Sequence, residues 1–126
     1  MDRSEFEFME LLENHDQFVR KPAGTVLFRE GEPGDQMYVI LEGEVSLTIN
    51  GQALGQELEG GIVGEMALID EADRSATATT RTECLLAPLD LEGFTSLVKK
   101  KPEFAIYVMR VLSQRLRLAN EILTLF

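Results

Sequence analysis

Ile62-Val63-Gly64-Glu65-Met66-Ala67-Leu68-Ile69-Asp70-Glu71-Ala72-Asp73-Arg74-Ser75-Ala76-Thr77 is the stretch on which both the fold and the chemistry turn. Ile62-Val63 reads as a brief buried strand running into Gly64, and a short helical turn over 66 to 69 is predicted after it. Gly64 lets a ligand approach the backbone closely. The first N–H groups of the helical turn have no partner inside it and point at whatever sits over its start. Arg74 is predicted to emerge at the start of a strand running to Arg81, where its planar fork can pair with two phosphate oxygens. Ser75 adds a hydroxyl donor and, with Ala76, further backbone N–H groups. Glu65, ionised, only accepts, so it suits a sugar hydroxyl and not a phosphate. The competing reading of Glu65 with Arg74 is an internal salt bridge that fixes a turn without any ligand.

Upstream of this segment the texture is that of a β protein. Thr25-Val26-Leu27-Phe28 is β-rich and ends at the turn formers Gly31-Glu32-Pro33-Gly34-Asp35, read as a structural turn. Met37 to Leu41 is a continuous apolar run, and after Gly43 the residues Val45, Leu47 and Ile49 alternate with Glu44, Ser46 and Thr48 as a half-buried strand would. Asn50-Gly51 supplies a hairpin signal, because both positions tolerate positive φ, and Leu54 to Leu58 is the expected return strand. At the N-terminus, Ser4 to Asn14 carries Phe6, Met9 and Leu12 at helical spacing behind an S-x-x-E capping box, which predicts a short amphipathic helix.

Downstream, Arg74 to Arg81 and Glu83 to Leu89 read as two further strands. Asp90 is the expected N-cap of a helix through Lys99, with Lys99-Lys100-Lys101 suiting its C-terminal end, and Pro102 opens a last helix. Ala105, Val108, Met109, Leu112, Leu116, Ala119, Ile122 and Leu123 form a stripe on that helix. Many short strands between Gly and Asn turns argue for a mainly antiparallel β sandwich or jelly roll with helical flanks. The expected organisation is one domain over 1–126, with the roll over about 15–89 and the C-terminal helices over about 90–125.

Composition narrows the function classes. With 22 acidic and 12 basic residues the net charge is -10, which repels a polyanion, so no direct nucleic-acid partner is expected. An anionic ligand then needs a small, local cluster of donors. A single Cys84, read as core, and a single His15, read as a surface or cap residue, rule out an internal disulfide and leave no multi-histidine metal site, so no metal or cofactor is expected. Enzyme chemistry on a jelly roll needs a metal or base cluster that one histidine does not provide, so no enzymatic activity is expected. No stretch approaches the roughly 18 uninterrupted apolar residues of a membrane helix, and the acidic N-terminus lacks a signal-peptide core, which makes the cytoplasm the expected compartment.

Gly64-Glu65-Met66-Ala67-Leu68 with Arg74-Ser75-Ala76-Thr77 behind it resembles the phosphate-binding cassette of cyclic nucleotide-binding domains, as in the bacterial catabolite activator protein and the protein kinase A regulatory subunit. Gly31-Glu32-Pro33-Gly34-Asp35, Met37-Tyr38-Val39-Ile40, Gly43 and Pro102 are similar to the family's early strand, hairpin and last helix, so the likeness spans roughly residues 10 to 120. The resemblance implies a double-stranded β-helix roll with a cassette helix. It also implies a cyclic nucleotide as ligand, cyclic AMP favoured over cyclic GMP. Carried over, Arg74, Ser75, Ala76 and the amides around Gly64, Met66 and Ala67 hold the phosphate, Glu65 the ribose 2′-hydroxyl, and Ile62 and Val63 form an apolar wall. Asn120 on the last helix is the candidate base contact. Asp73 departs from the Pro of several members and is expected to point to solvent.

On this resemblance the chain is expected to act as a regulatory module whose C-terminal helices respond to ligand. Bacterial transcription factors with this domain continue into a helix-turn-helix, whereas this sequence stops at Phe126. Output is therefore expected through an effector protein, a rearranged homodimer joined by the last helix, or a further portion of a longer protein. The alternative is a jelly-roll interaction module without ligand that docks a partner or dimerises through that helix.

Overall fold

The computed structural model of the protein describes residues 18–124, so the predicted N-terminal helix and His15 lie outside the described residues. Eight strands run β1 Val19–Lys21, β2 Val26–Phe28, β3 Gln36–Glu42, β4 Val45–Ile49, β5 Gln52–Glu57, β6 Ile62–Val63, β7 Thr77–Thr80 and β8 Cys84–Asp90. Helix α1, Glu65–Ile69, sits between β6 and β7, and α2, Leu91–Lys100, and α3, Glu103–Thr124, close the chain. One sheet has the order β1-β8-β3-β6 and the other β2-β7-β4-β5, every neighbour antiparallel. This is the expected antiparallel jelly roll with helical flanks.

The apolar run Met37 to Leu41 is continuous because β3 is covered on both faces. Met37, Val39 and Leu41 pack with Leu85, Ala87, Leu89, Leu97, Phe104 and Val108 under the helices. Ile40 points the other way, into the interior between the sheets, with Phe28, Val45, Val63, Ala78, Cys84 and Leu86. A strand buried on both sides loses the apolar and polar alternation that a half-exposed strand keeps. The hairpin forms where its signal lies: Asn50 at φ 53° and Gly51 at φ 78° place both turn residues in the left-handed region between β4 and β5.

Several boundaries differ from the sequence reading: the return strand β5 starts two residues early, at Gln52, and three further differences bear on the architecture. Strand β1 precedes the first predicted strand; Arg20 and Lys21 are exposed on it, as suits a charged edge, and Arg20 reaches Glu83 at 2.9 Å. Strand β7 begins at Thr77 and not at Arg74, because the backbone of Arg74 is bonded to the turn at Gly31 and Glu32 instead of to a long ladder. Pro102 sits one residue before α3, in the tight turn closed by Phe104 N–H donating to the Lys101 carbonyl at 2.9 Å. Asp90 caps α2 as expected, its Oδ1 accepting from the Gly93 N–H at 2.7 Å.

Phe104 is fully buried where α2, α3 and the first sheet meet, its ring 5.7 Å from Phe94 and 6.3 Å from Tyr107. Phe104→Ala is expected to destabilise the chain by about 3 to 5 kcal/mol, the usual cost of truncating a buried aromatic ring. Urea unfolding measures it, and a loss under about 1 kcal/mol would show that the helices are not packed on the roll as described.

Candidate functional site

Two distant turns build one slot. Arg74 N–H donates to the Glu32 carbonyl and Gly31 N–H donates to the Arg74 carbonyl, both at 2.8 Å, which lays the Arg74 segment against the turn at Gly31 to Asp35. Gly34 in that turn has no side chain, and a Cβ there would overlap the Arg74 guanidinium. Across the slot Gly64 stands at φ 80°, and a Cβ on it would come within 2.5 Å of Arg74 Nη1. The turn formers at 31–35 are thus structural, and the structure they make is the seat of Arg74.

The guanidinium in that seat is only partly satisfied. Arg74 is 7% exposed, stacks with Cζ 4.2 Å from the Phe28 ring centroid, and donates from Nη1 to the Gly64 carbonyl at 3.2 Å. Among the described residues Nε has no hydrogen-bond partner, and no carboxylate lies within ion-pair distance of Arg74. A buried cation with an unspent donor is costly unless an anion completes it. The start of α1 lies beside it, because Gly64 is both the contact of Nη1 and the N-cap of that helix, with no side chain capping the first amides. Ser75 is exposed and its hydroxyl contacts Met66 Sδ at 3.7 Å, so the two halves of the segment meet. Ala67 and Ala76 are buried, Asp73 is exposed, and Ile62 and Val63 send their side chains into the two cores.

Glu65 does not pair with Arg74. It is 6% exposed, and its Oε1 accepts from Nη1 of Arg115 on α3, while Arg115 Nη2 donates to the Ile62 carbonyl and lies 3.0 Å from Glu57 Oε1. Arg115 and Glu57 were not found by sequence reasoning. The available signal was the stripe of α3 that faces the roll: Phe104, Tyr107, Val108 and Val111 pack on it, and Arg115 is the next position at i+4. Tyr107 adds a second tie, its hydroxyl donating to the Gly60 carbonyl. Asn120 is exposed on α3, about 140° around the helix from Arg115 at 3.6 residues per turn.

Fold and site together define a jelly-roll domain built around one buried, partly satisfied arginine. The chain belongs to the cyclic nucleotide-binding domain family, whose sequence profile matches residues 18–101. It is 33% identical over 109 residues to a CRP-like cAMP-activated global transcriptional regulator of Mycobacterium tuberculosis, which covers 82% of this chain and 49% of that protein. It is 45% identical over 85 residues to a cyclic nucleotide-gated potassium channel of Mesorhizobium japonicum, 67% of this chain and 23% of the channel. The structure superposes on the Thermus thermophilus catabolite activator protein with a TM-score of 0.78 at 29% identity, over 99% of this chain and 60% of that one. The chain thus spans about half the length of the mycobacterial regulator. Among the described residues no helix is long and apolar enough to cross a membrane.

The Arg115 cluster has a pH signature. Burial pushes the Glu57 carboxyl above its ordinary value of 4.5, Arg115 beside it pulls it partly back, and Glu65 adds to the rise. The folded chain therefore holds this proton more tightly than the unfolded chain. The contribution to stability is complete below the ordinary carboxylate value and is lost as pH rises through the folded value. Relative to wild type, the Tm of Glu57→Gln is expected to climb as pH rises from the ordinary carboxylate value through the folded one, since the variant has nothing to lose there. Parallel Tm curves for the two proteins would show that the fold does not raise the proton affinity of Glu57.

Proposed function

We propose that the chain is a cyclic nucleotide sensor, with cyclic AMP preferred to cyclic GMP. Arg74, Ser75, the backbone of Ala76 and the free amides of Glu65, Met66 and Ala67 take the phosphate. Glu65 accepts from the ribose 2′-hydroxyl with the oxygen that Arg115 leaves open. One observation carries the reading: Arg74 is buried, carries an unpartnered Nε, and has no described carboxylate to neutralise it. That arrangement is poor as a structural ion pair and good as half of a charged hydrogen-bond pair whose other half is a ligand. The internal salt bridge between Glu65 and Arg74, the competing reading, is not formed. The preference for cyclic AMP draws support from the mycobacterial relative, described as cAMP-activated.

Calorimetry with cyclic AMP and cyclic GMP tests it. Binding of cyclic AMP is expected, and Arg74→Ala should weaken it about 10- to 150-fold, the equivalent of about 1.5 to 3 kcal/mol for a charged hydrogen bond. No heat with either nucleotide up to millimolar would sink the reading, and tighter binding of cyclic GMP would reverse the preference.

Because Arg115 of α3 shares Glu65 with the ribose, ligand biases the position of that helix; this is how the C-terminal helices respond. A ligand shifts such an equilibrium only by its differential affinity for the two states. Amide protection over Glu103–Thr124 is expected to rise on saturation, and unchanged protection would remove the helix response from the proposal.

A second feature favours self-association through the last helix. The face of α3 turned from the roll carries Ile106, Met109, Leu116 and Leu123, all exposed, with Ser113 and Asn120 at the intervening positions of an alternating three and four spacing. That is the seam of a two-stranded coiled coil, and a polar Asn at an a position is the usual device for fixing its register. In this assignment Asn120 serves the seam, and its use as a base contact is the alternative. Sedimentation equilibrium should show a dimer that Leu116→Glu converts to a monomer; a monomeric wild type would exclude the seam.

A further inference from the structure

Phe28 belongs to neither half of the phosphate-binding segment, yet its ring lies against the Arg74 guanidinium, with Cζ 4.2 Å from the ring centroid. The ring reaches the slot through an irregularity. The pairing of β2 with β7 shifts between Val26, opposite Thr79, and Phe28, opposite Ala78, so that Val26 stays exposed while Phe28 is buried. A bulge of this kind re-aims a side chain that a regular strand would send to the same side as its second neighbour. Tyr38 backs the ring at 6.3 Å with the planes 18° apart, which holds it in place.

A guanidinium offers two kinds of surface. Its flat face interacts with a π-system, and its edge carries the N–H donors. A carboxylate partner in the slot would neutralise the charge and spend the donors that a phosphate needs. An aromatic face stabilises the cation without taking up its N–H donors, which matches an Arg74 whose Cζ lies over the ring and whose Nε has no partner among the described residues. Alternative partners exist. Asp35 follows Gly34, which lies against the Arg74 guanidinium, and Asp73 is the chain neighbour of Arg74. On a chain with net charge -10 an arginine not held inward has many carboxylates to find.

We propose that Phe28 is a positioning residue for the anion grip: its ring keeps the Arg74 guanidinium in the slot with Nε unspent, and thereby sets the affinity for the ligand phosphate. This deepens the cyclic nucleotide reading and rests on it for the identity of the ligand, but the positioning itself is measurable without ligand.

Two measurements test it. In the ligand-free protein the Arg74 Nε–H proton is expected to be displaced upfield by the ring current of Phe28, to lose that displacement in Phe28→Leu, and to keep it in Phe28→Tyr. In calorimetry with cyclic AMP, Phe28→Leu is expected to weaken binding about 5- to 10-fold and Phe28→Tyr less than about 2-fold. In an Arg74→Ala background Phe28→Leu should then have no further effect. A wild-type Nε–H without the upfield displacement overturns the proposal even if Phe28→Leu does not fold. So does an equal loss of affinity from Phe28→Leu with and without Arg74, since that is what a ring acting only as packing would give. If the displacement behaves as described but the wild type binds no cyclic nucleotide, the positioning stands and the functional reading falls.

Discussion

A guanidinium taken out of water must be matched by charge, by hydrogen bonds or by a polarisable face, and the chain gives Arg74 only part of that match. One hydrogen bond to the Gly64 carbonyl and one aromatic face are in place, while Nε has no partner among the described residues. The local architecture is arranged to tolerate this. Gly34 and Gly64 lack side chains where a Cβ would collide with the group. The turn at Gly31 and Glu32 is bonded to the backbone of Arg74, which shortens β7 and fixes where the arginine leaves the chain. A site kept short of satisfaction in this way is held by its surroundings and not by its own contacts, so the free energy withheld on folding is available to a ligand.

The second charged cluster works by the opposite logic. Arg115 is shared by Glu65, Glu57 and the Ile62 carbonyl, which ties α3 to α1, β5 and β6 at one point. Two carboxylates share one guanidinium in a half-buried place, and burial first, with the charge of Glu65 adding to it, makes Glu57 hold its proton more tightly. A well-paired arginine would fasten the helix firmly. An arginine divided between two acids, one of which directly follows Gly64, fastens it in a way that a change at Glu65 can alter. The helix and the Gly64 turn are joined through Glu65, and the Phe28 ring lies against Arg74 beside the same Gly64.

What could be read from the residues was what depends on near neighbours in the chain. Asn50-Gly51 dictates its turn through its own backbone preferences, Asp90 caps its helix from three residues away, and the continuous run at Met37 to Leu41 reports a strand covered on both faces. Gly64, Glu65 and Arg74 were legible as a set because they stand in one segment. The pairing of Glu65 was not, since its partner lies fifty positions along the chain and stands in a stripe whose other members are apolar. The role of Gly34 was hidden for the same reason: a turn glycine looks alike whether it serves the turn or makes room for a distant arginine. Strand β1 escaped because three residues with two charges carry no alternation, and only its pairing with β8 makes it a strand.

The acidic surface is at odds with an anion site only if charge is counted over the whole molecule. At physiological salt the field of an exposed carboxylate fades over about 8 Å, whereas a buried guanidinium acts through a medium that screens it far less. Asp73, beside Arg74 in sequence, is exposed and turned to water, and the described carboxylates that are buried or half-buried near the site, Glu57 and Glu65, are both engaged by Arg115. Of the negative charge close to the slot, that of Asp73 is solvated and that of Glu57 and Glu65 is drawn to Arg115, so no described carboxylate lies within ion-pair distance of Arg74. Net charge then acts on the rate and range of approach, and on which larger anions are kept away, while the local geometry decides what is held.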